Sequence, residues 1–394
     1  MRCFMPQRNR NDLRSSFSIC GGALFFLFIA LMFLTVRLDA GRDPQIIKVL
    51  VESGQKNLNI SSPQSLTAVD MQTGRRASFP AGGSYRVIPR PGGITIRGEL
   101  FSSIVRIIPE GKILRVNGHS YRDSIILKND GALLGAINEI GVESYLFGVL
   151  PREVSPSWGE EALKAQAVVS RTYIMRNLGR FASKGYDLTS CENSQVYGGA
   201  ECETPATSAA VLETAGEVIK YKGNIAGVFF HADSGGHTES PEFVWGSSSV
   251  PPYLKGRREP VREKTPYSFW EYKITFDRLA EILNKNGYKT GKIKRVIISQ
   301  KTGSGRAKDF IIYAETGKTK INSGKFRTML GGRNIKSTKI KKITNERKEV
   351  VFSGSGWGHG VGMSQWGAKE LAEKGWGYKK ILEFYFPGTR ISKF

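Results

Sequence analysis

Residues 45–135 hold seven short runs, IIKVLVE, LTAVD, SYRVIP, GITIRG, SIVRIIP, KILRVNG and DSIILKN, separated by Gly, Pro and Asn. Runs of this length, rich in β-branched residues and spaced by turn formers, fold as strands and not as helices. A β-rich domain over 45–135 follows, with no cluster of charged or nucleophilic side chains to give it chemistry. From about Ala136 the pattern changes. A strand-like approach leads to a helix from near Trp158, a loop with two cysteines, a second helical run over Thr204 to Ala215, and the strands EVIKYKG and AGVFFHAD. Residues 272–350 return to strand-rich sequence with one short helix over Asp277 to Asn286. The expected fold class is α+β: a strand-rich N-terminal domain, then a mixed α+β core over 136–394 with a strand-rich basic insertion around 271–350.

Ahead of the first strand, Arg2, Arg8, Arg10 and Arg14 against Asp12 form a basic leader over 1–18, followed by an uncharged apolar stretch over 19–36. That pairing reads as a membrane anchor or a cleavable signal segment, and the length of the apolar stretch favours an anchor. The leader's arginines place everything beyond Arg37 outside the cytoplasm, tethered to the membrane, or secreted or periplasmic if the segment is cut.

The net charge is +23, and residues 271–350 alone carry 21 Lys or Arg against 7 Asp or Glu. Such a bias points to a polyanion or an anionic surface, or simply to a solvated basic face. No nucleic-acid motif accompanies it, and an exported chain meets anionic wall polymers and the bilayer surface instead, so nucleic acid is excluded as a partner. Of the four cysteines, Cys3 and Cys20 fall in the leader and the apolar stretch. Cys191 and Cys202 lie in the exported part, where a disulfide is the first expectation, a metal site with His231 or His237 the second, and a free pair the third.

The segment Gly148 to Arg176, GVLPREVSPSWGEEALKAQAVVSRTYIMR, carries the most chemistry. Ser157 followed by Glu160 reads as a capping box that starts a helix near Trp158 and leaves Glu153 on the preceding loop. Glu160 and Glu161 then serve as first-turn charges. Lys164 and Arg171, seven apart, share one face, beside a small apolar strip of Leu163, Ala167, Ser170 and Ile174. One carboxylate with two cations nearby suits acid/base work on an uncharged, oxygen-rich polymer. Sugar rings also call for flat apolar platforms, for which Tyr197, Trp245 and Trp357 are candidates, each alternatively a core residue. Gln195, Ser234 and the Gly235–Gly236 backbone can supply hydrogen bonds. Glu239 is either a second carboxylate or a surface or strand-end residue. The C-terminal GSGWGHGVGMSQWGAKELAEKGWGYKKILEFYFPGT presents His359 and Gln365 from a glycine-rich loop, with Trp366 read as core, a helix over Ser364 to Glu373 and another over Tyr378 to Tyr385.

Together these stretches are similar to the stage II sporulation protein D (SpoIID) family, which includes the LytB amidase-enhancer proteins. The resemblance runs from about Glu139 to the end, through VESYLFGVLPREVSPSWGEEALKAQAVVSRTYIM, SQVYGG, FFHADSGGHTESPEFVWG, FRTMLG and GWGHGVGMSQWGA. It implies a lytic transglycosylase that cleaves peptidoglycan strands already stripped of their peptides, with Glu153 as the catalytic acid and base and Lys164 and Arg171 as the basic positions beside it. The substrate-binding set expected with them is Gln195, Tyr197, Ser234, Gly235, Gly236, His359 and Gln365. Relatives that hold zinc carry Cys, His and Cys just before the Gln-Val-Tyr phrase; here only Cys191 precedes it, so no metal and no cofactor is expected. A single acid working this way calls for an apolar wall, for which Trp158, Val149 and Val154 are the candidates, with Lys164 and Arg171 held off at the substrate's acetamido or lactyl groups. The expected partners are glycan strands, a cell-wall amidase, and the membrane through the N-terminal segment. The alternative function is a non-catalytic wall-binding enhancer of such an amidase. A zinc hydrolase built on the two cysteines and the histidines ranks last.

Overall fold

The computed structural model describes residues 45–191, 194–260 and 264–394. The basic leader, the apolar stretch over 19–36, Cys3 and Cys20 lie outside the described residues. Among those described, no helix is long and apolar enough to cross a membrane.

The strand pattern of the N-terminal part folds as two layers, antiparallel throughout except where Leu188–Thr189 pairs parallel with Ile46–Gln55. One is a seven-stranded sheet in the order Leu188–Thr189, Ile46–Gln55, Leu134–Gly141, Ser124–Asn129, Ile104–Pro109, Leu66–Asp70 and Arg76–Phe79. The other has six strands, in the order His119–Arg122, Ile113–Val116, Leu58–Ser61, Ser84–Arg90, Gly93–Ile96 and Glu99–Ser102. Alternate side chains of each strand point inward, as the two-residue period requires. Val105 and Ile107 of the first sheet meet Leu58, Ile60 and Val87 of the second in one core. The strand Leu134–Gly141 runs through the boundary expected at 135/136, pairing with Ile46–Gln55.

The sheet leads directly into α1 (Val142–Glu153), where a strand-like approach was expected. Val142, Tyr145, Leu146, Val149 and Leu150 recur at helical spacing and are buried. This apolar stripe drives the segment into a helix despite Gly148 and Pro151. The next helix, α2 (Glu160–Arg176), begins two residues later than expected, with Gly159 at its N-cap and no side-chain cap. The Ser157–Glu160 capping box therefore does not form: Ser157 Oγ pairs with Ser155 Oγ at 2.9 Å. Helix α3 (Pro205–Glu213) is capped by Thr204, and α4 (Pro241–Trp245) is a single turn after the SGGHTES stretch.

The basic segment forms its own small core. Two three-stranded sheets enclose α5 (Phe276–Lys285), capped by Thr275, and α6 (Ser323–Leu330) around Phe310, Phe326 and Phe352. Helix α6 falls where strands were expected; Asn322 caps it by accepting from the Gly324 and Lys325 N–H groups. The C-terminal helices α7 (Gln365–Glu373) and α8 (Tyr378–Tyr385) match expectation and join α2 in a third core, with Val168, Val169, Leu371 and Ile381.

Candidate active site

Glu153 is the last residue of α1 and not a loop residue, so the rigid helix end aims its carboxylate. The chain from Ser194 to Gly199 passes alongside that end. Gly148 makes this approach possible: a Cβ there would lie 2.6 Å from the Tyr197 ring and 2.7 Å from the Gly199 carbonyl oxygen. Gly198 N–H donates to the Gly148 carbonyl at 3.0 Å, and Val196 N–H donates to Glu153 Oε1 at 3.1 Å. Tyr197 pins the segment from within. Its ring packs 4.7 Å from Tyr145 and its hydroxyl donates to Asn138 Oδ1 at 2.9 Å. It is thus a buried anchor, not the sugar platform or ligand contact expected.

A cavity of about 290 Å³ opens at Glu153, lined also by Tyr173, Ser194, Gln195, Val196, Phe229, Phe230 and His359. Glu153 is the only carboxylate lining it among the described residues. The apolar wall comes from Val196, Phe229 and Phe230. Trp158 and Val154, expected in that role, cluster instead with Leu163 and Ala210, and Val149 belongs to the N-terminal core. Gln195 is 1% exposed, and neither its Nε2 nor its Oε1 has a hydrogen-bond partner among the described residues. A buried carboxamide left so costs about 1–3 kcal/mol for each unpaired group, which a ligand amide recovers by accepting from one end and donating to the other.

His359 reaches the cavity from the glycine-rich loop. Val361 N–H donates to its Nδ1 at 3.0 Å, so in the neutral ring Nε2 carries the proton. Burial, and then the charges of Arg327 and Arg306, hold its pKa down at about 3. His359 is therefore a neutral ring at ordinary pH and not a proton-donating cation. Its ring packs, tilted, 5.2 Å from Trp245, which also packs 4.8 Å from Phe229.

Other expected site residues go elsewhere. Arg171 is fully buried and gives its guanidinium to Glu143, with Nη2 2.6 Å from Oε2. Lys164 pairs with Glu160, with Glu161 at 3.5 Å and with Glu213 at 2.6 Å, joining α2 to α3. Neither cation lines the Glu153 cavity, and the expectation that both face a ligand is corrected: carboxylates on neighbouring helices capture them. Ser234 is buried; its hydroxyl donates to Glu259 Oε2 at 2.5 Å and its backbone carbonyl accepts from Arg306 Nη2 at 2.6 Å. Gly235 and Gly236 line a separate cavity with His237, Glu259 and Lys339. Gln365 begins α7 and donates to Gln166 Oε1 at 3.4 Å inside the helical core. Trp357 packs on Tyr267 at 4.8 Å and Trp366 on Trp158 at 5.3 Å. Glu239 is buried, not a surface residue; it accepts from Ser240 N–H, Thr302 Oγ1 and Ser304 Oγ, tying the SGGHTES stretch to the basic segment.

Cys191 and Cys202 are free thiols, the first exposed and the second half-buried, which corrects the expected disulfide. Cys202 Sγ packs against Gly198 while Cys191 Sγ lies 3.4 Å from Thr189 Oγ1. Among the described residues, no three His, Cys, Asp or Glu side chains converge as a metal-holding group.

Sequence reasoning missed Tyr173, Phe229 and Phe230. The paired aromatics Phe229-Phe230 held the available signal: both remain only partly buried against the third core and line the cavity.

The chain is similar to several known proteins. The family described as "Stage II sporulation protein" matches residues 131–221, spanning α1, α2 and the Gln195 segment, and residues 250–362 match a domain of unknown function. An uncharacterized protein of Brachyspira hyodysenteriae is 36% identical over 279 residues, covering 70% of this chain and 73% of that one. The amidase enhancer of Bacillus subtilis is 32% identical over 344 residues, covering 72% of this chain, which spans only 47% of the enhancer's length. Stage II sporulation protein D of Bacillus subtilis is 31% identical over 274 residues, covering 66% of this chain and 76% of that protein. With the site helix, the Gln195 segment and most of a relative's length shared, the chain belongs to the stage II sporulation protein D family.

Proposed function

We propose that this protein is a lytic transglycosylase that cleaves peptide-free peptidoglycan strands in cell-wall remodelling or sporulation, with Glu153 as acid and then base. The observation that carries this reading is one carboxylate, on a rigid helix end, sharing a small apolar-walled cavity with the unpartnered Gln195 carboxamide. Hydrolytic glycosidases work with a pair of carboxylates across the bond. A single one suffices when the nucleophile belongs to the sugar. Glu153 gives its proton to the glycosidic oxygen as the C1–O bond breaks. The carboxylate then takes the proton of the sugar's own C6 hydroxyl while that oxygen bonds to C1, so an anhydro ring forms and no water is consumed. Val196 N–H holds Oε1 in place through both steps. Gln195 pairs with the acetamido group, and Phe229 and Phe230 keep water from the reacting carbon.

The relatives named for sporulation and for amidase enhancement support a wall-directed role beside a partner amidase, and the uncharged apolar stretch over 19–36 supports a location outside the cytoplasm. The likeness to an amidase enhancer also supports a second reading, a non-catalytic wall-binding enhancer. Incubating the protein and its Glu153→Gln variant with peptide-free strands, followed by mass spectrometry of the products, separates the two. Anhydro-muramyl ends from the wild type alone are expected. Reducing ends would mean hydrolysis, and retained binding with no cleavage would leave the enhancer reading.

A further inference from the structure

Beyond His359 the Glu153 cavity gives way to a larger one of about 860 Å³, between α4, α6 and the turn at Asn286 and Tyr288. Its volume is in the range of sites that bury a whole ligand, roughly 300–1,000 Å³. The two share His359 as a lining residue, and the tilted and edge-on cluster of Phe229, Trp245 and His359 forms the wall where they meet. Most of the larger cavity lies outside the 131–221 match, within the region of unknown function over 250–362.

Three features give it a chemistry. Trp245 is 48% exposed, which is unusual for so large an aromatic ring, and it offers a flat platform of the kind sugar faces stack on. Arg327, on α6, is half-buried; its Nε donates to the Lys336 carbonyl at 3.3 Å, and its guanidinium has no carboxylate partner among the described residues. A partly desolvated cation in that position favours an anionic ligand, and its charge reaches His359, where it helps depress the imidazole pKa. Glu239 is the only carboxylate lining the cavity among the described residues, and Ser240, Thr302 and Ser304 occupy its oxygens.

We propose that this cavity is an anionic-sugar subsite in which Arg327 pairs with the free lactyl carboxylate of a peptide-free muramoyl residue while Trp245 stacks on a ring of the same strand. The inference rests on the glycan substrate proposed above. It assigns the choice of stripped over peptide-bearing strands to the region of unknown function: a stem peptide converts the carboxylate to an amide and removes the charge that Arg327 meets. The cations expected to read that group, Lys164 and Arg171, are engaged elsewhere.

The test is calorimetric binding by the full-length Glu153→Gln protein, which is expected to bind strands without cleaving them. Short peptide-free strands are compared with the same strands after reduction of the lactyl carboxylate to an alcohol, in the presence and absence of Arg327→Gln. The free-carboxylate strands are expected to bind about tenfold or more tightly, and Arg327→Gln to erase that difference while leaving the reduced strands unchanged. Trp245→Ala, at an exposed position, is expected to weaken both ligands alike, and it tests the platform even if Arg327→Gln proves unstable on melting. Equal affinity of the parent protein for the two ligands would overturn the proposal. Carboxylate preference in a protein that never yields anhydro ends would sink the cleavage reading and keep this one; cleavage of both strand types at equal rates would do the reverse.

Discussion

The guanidinium of Arg171 on α2 closes on the carboxylate of Glu143 on α1, with Nε 2.8 Å from Oε1 and Nη2 2.6 Å from Oε2. Its remaining donors go to the Glu217 and Val211 carbonyls, and Gly216 N–H donates to Glu143 Oε1. One buried cation on α2 thus ties together α1, the helix that carries Glu153, the end of α3 and the strand Glu217–Tyr221. Arg171→Ala strips the donors from the Glu217 and Val211 carbonyls, leaves the part-exposed Glu143 carboxylate without its cation and empties a fully buried site, so it is expected to cost about 3 kcal/mol. Arg171→Lys recovers little of it, lacking the planar fork. Urea unfolding followed by circular dichroism measures the loss. A variant as stable as wild type but unable to bind glycan would instead make Arg171 a ligand contact.

The proposed cleavage pairs the Gln195 carboxamide with the acetamido group of the substrate. Gln195→Leu keeps the volume and removes both unpaired polar atoms, so the fold is expected to hold or to gain slightly. Cleavage of N-acetylated strands should fall about tenfold or more, with little change on de-N-acetylated strands. Comparing kcat/KM on the two substrates decides the matter; an equal fall on both would remove the acetamido contact.

Burial lowers the pKa of His231, and holds that of His359 at about 3 against the ordinary 6.5. Above pH 6.5 both rings are neutral, folded or unfolded, and their contribution is fully present. As the pH falls below 6.5 the unfolded chain takes up protons that the folded one refuses, so stability drops until His359 itself is protonated near pH 3. Glu259, whose pKa burial raises, works in the opposite sense. Melting temperatures between pH 7.5 and 4 should therefore decline more steeply for wild type than for His359→Gln. Parallel curves would show that the ring is not held neutral.

Gly148→Ala tests how the site is assembled. The added methyl meets the Tyr197 ring and the Gly199 carbonyl, and a backbone neighbour cannot step aside cheaply. Overpacking of this kind costs about 1–3 kcal/mol. The strain falls on the segment that brings Val196 N–H to Glu153, so activity should drop further than stability alone accounts for. Wild-type turnover in a destabilised variant would mean that the segment's position does not matter to Glu153.

What the sequence determined by itself is local. Strands over 45–135 follow from runs of β-branched residues between turn formers, and α8 begins and ends at Tyr378 and Tyr385 as its apolar spacing dictates. Glu153 stood out because its neighbours carry a family's pattern. The start of α2 and the cap at Ser157 did not follow, because hydroxyls two residues apart can satisfy each other as well as a helix end. Tertiary structure alone decided what each polar side chain meets. Lys164 and Arg171 do share a helix, yet the cation's partner is whichever carboxylate packing brings beside it, and α1 and α3 bring Glu143 and Glu213. In the same way Gln195, Phe229 and His359 reach Glu153 only because distant segments close over the end of α1. Spacing along a chain fixes neighbours within an element; which elements bury one another depends on the whole sum of apolar contacts, and that sum is not written in any one segment.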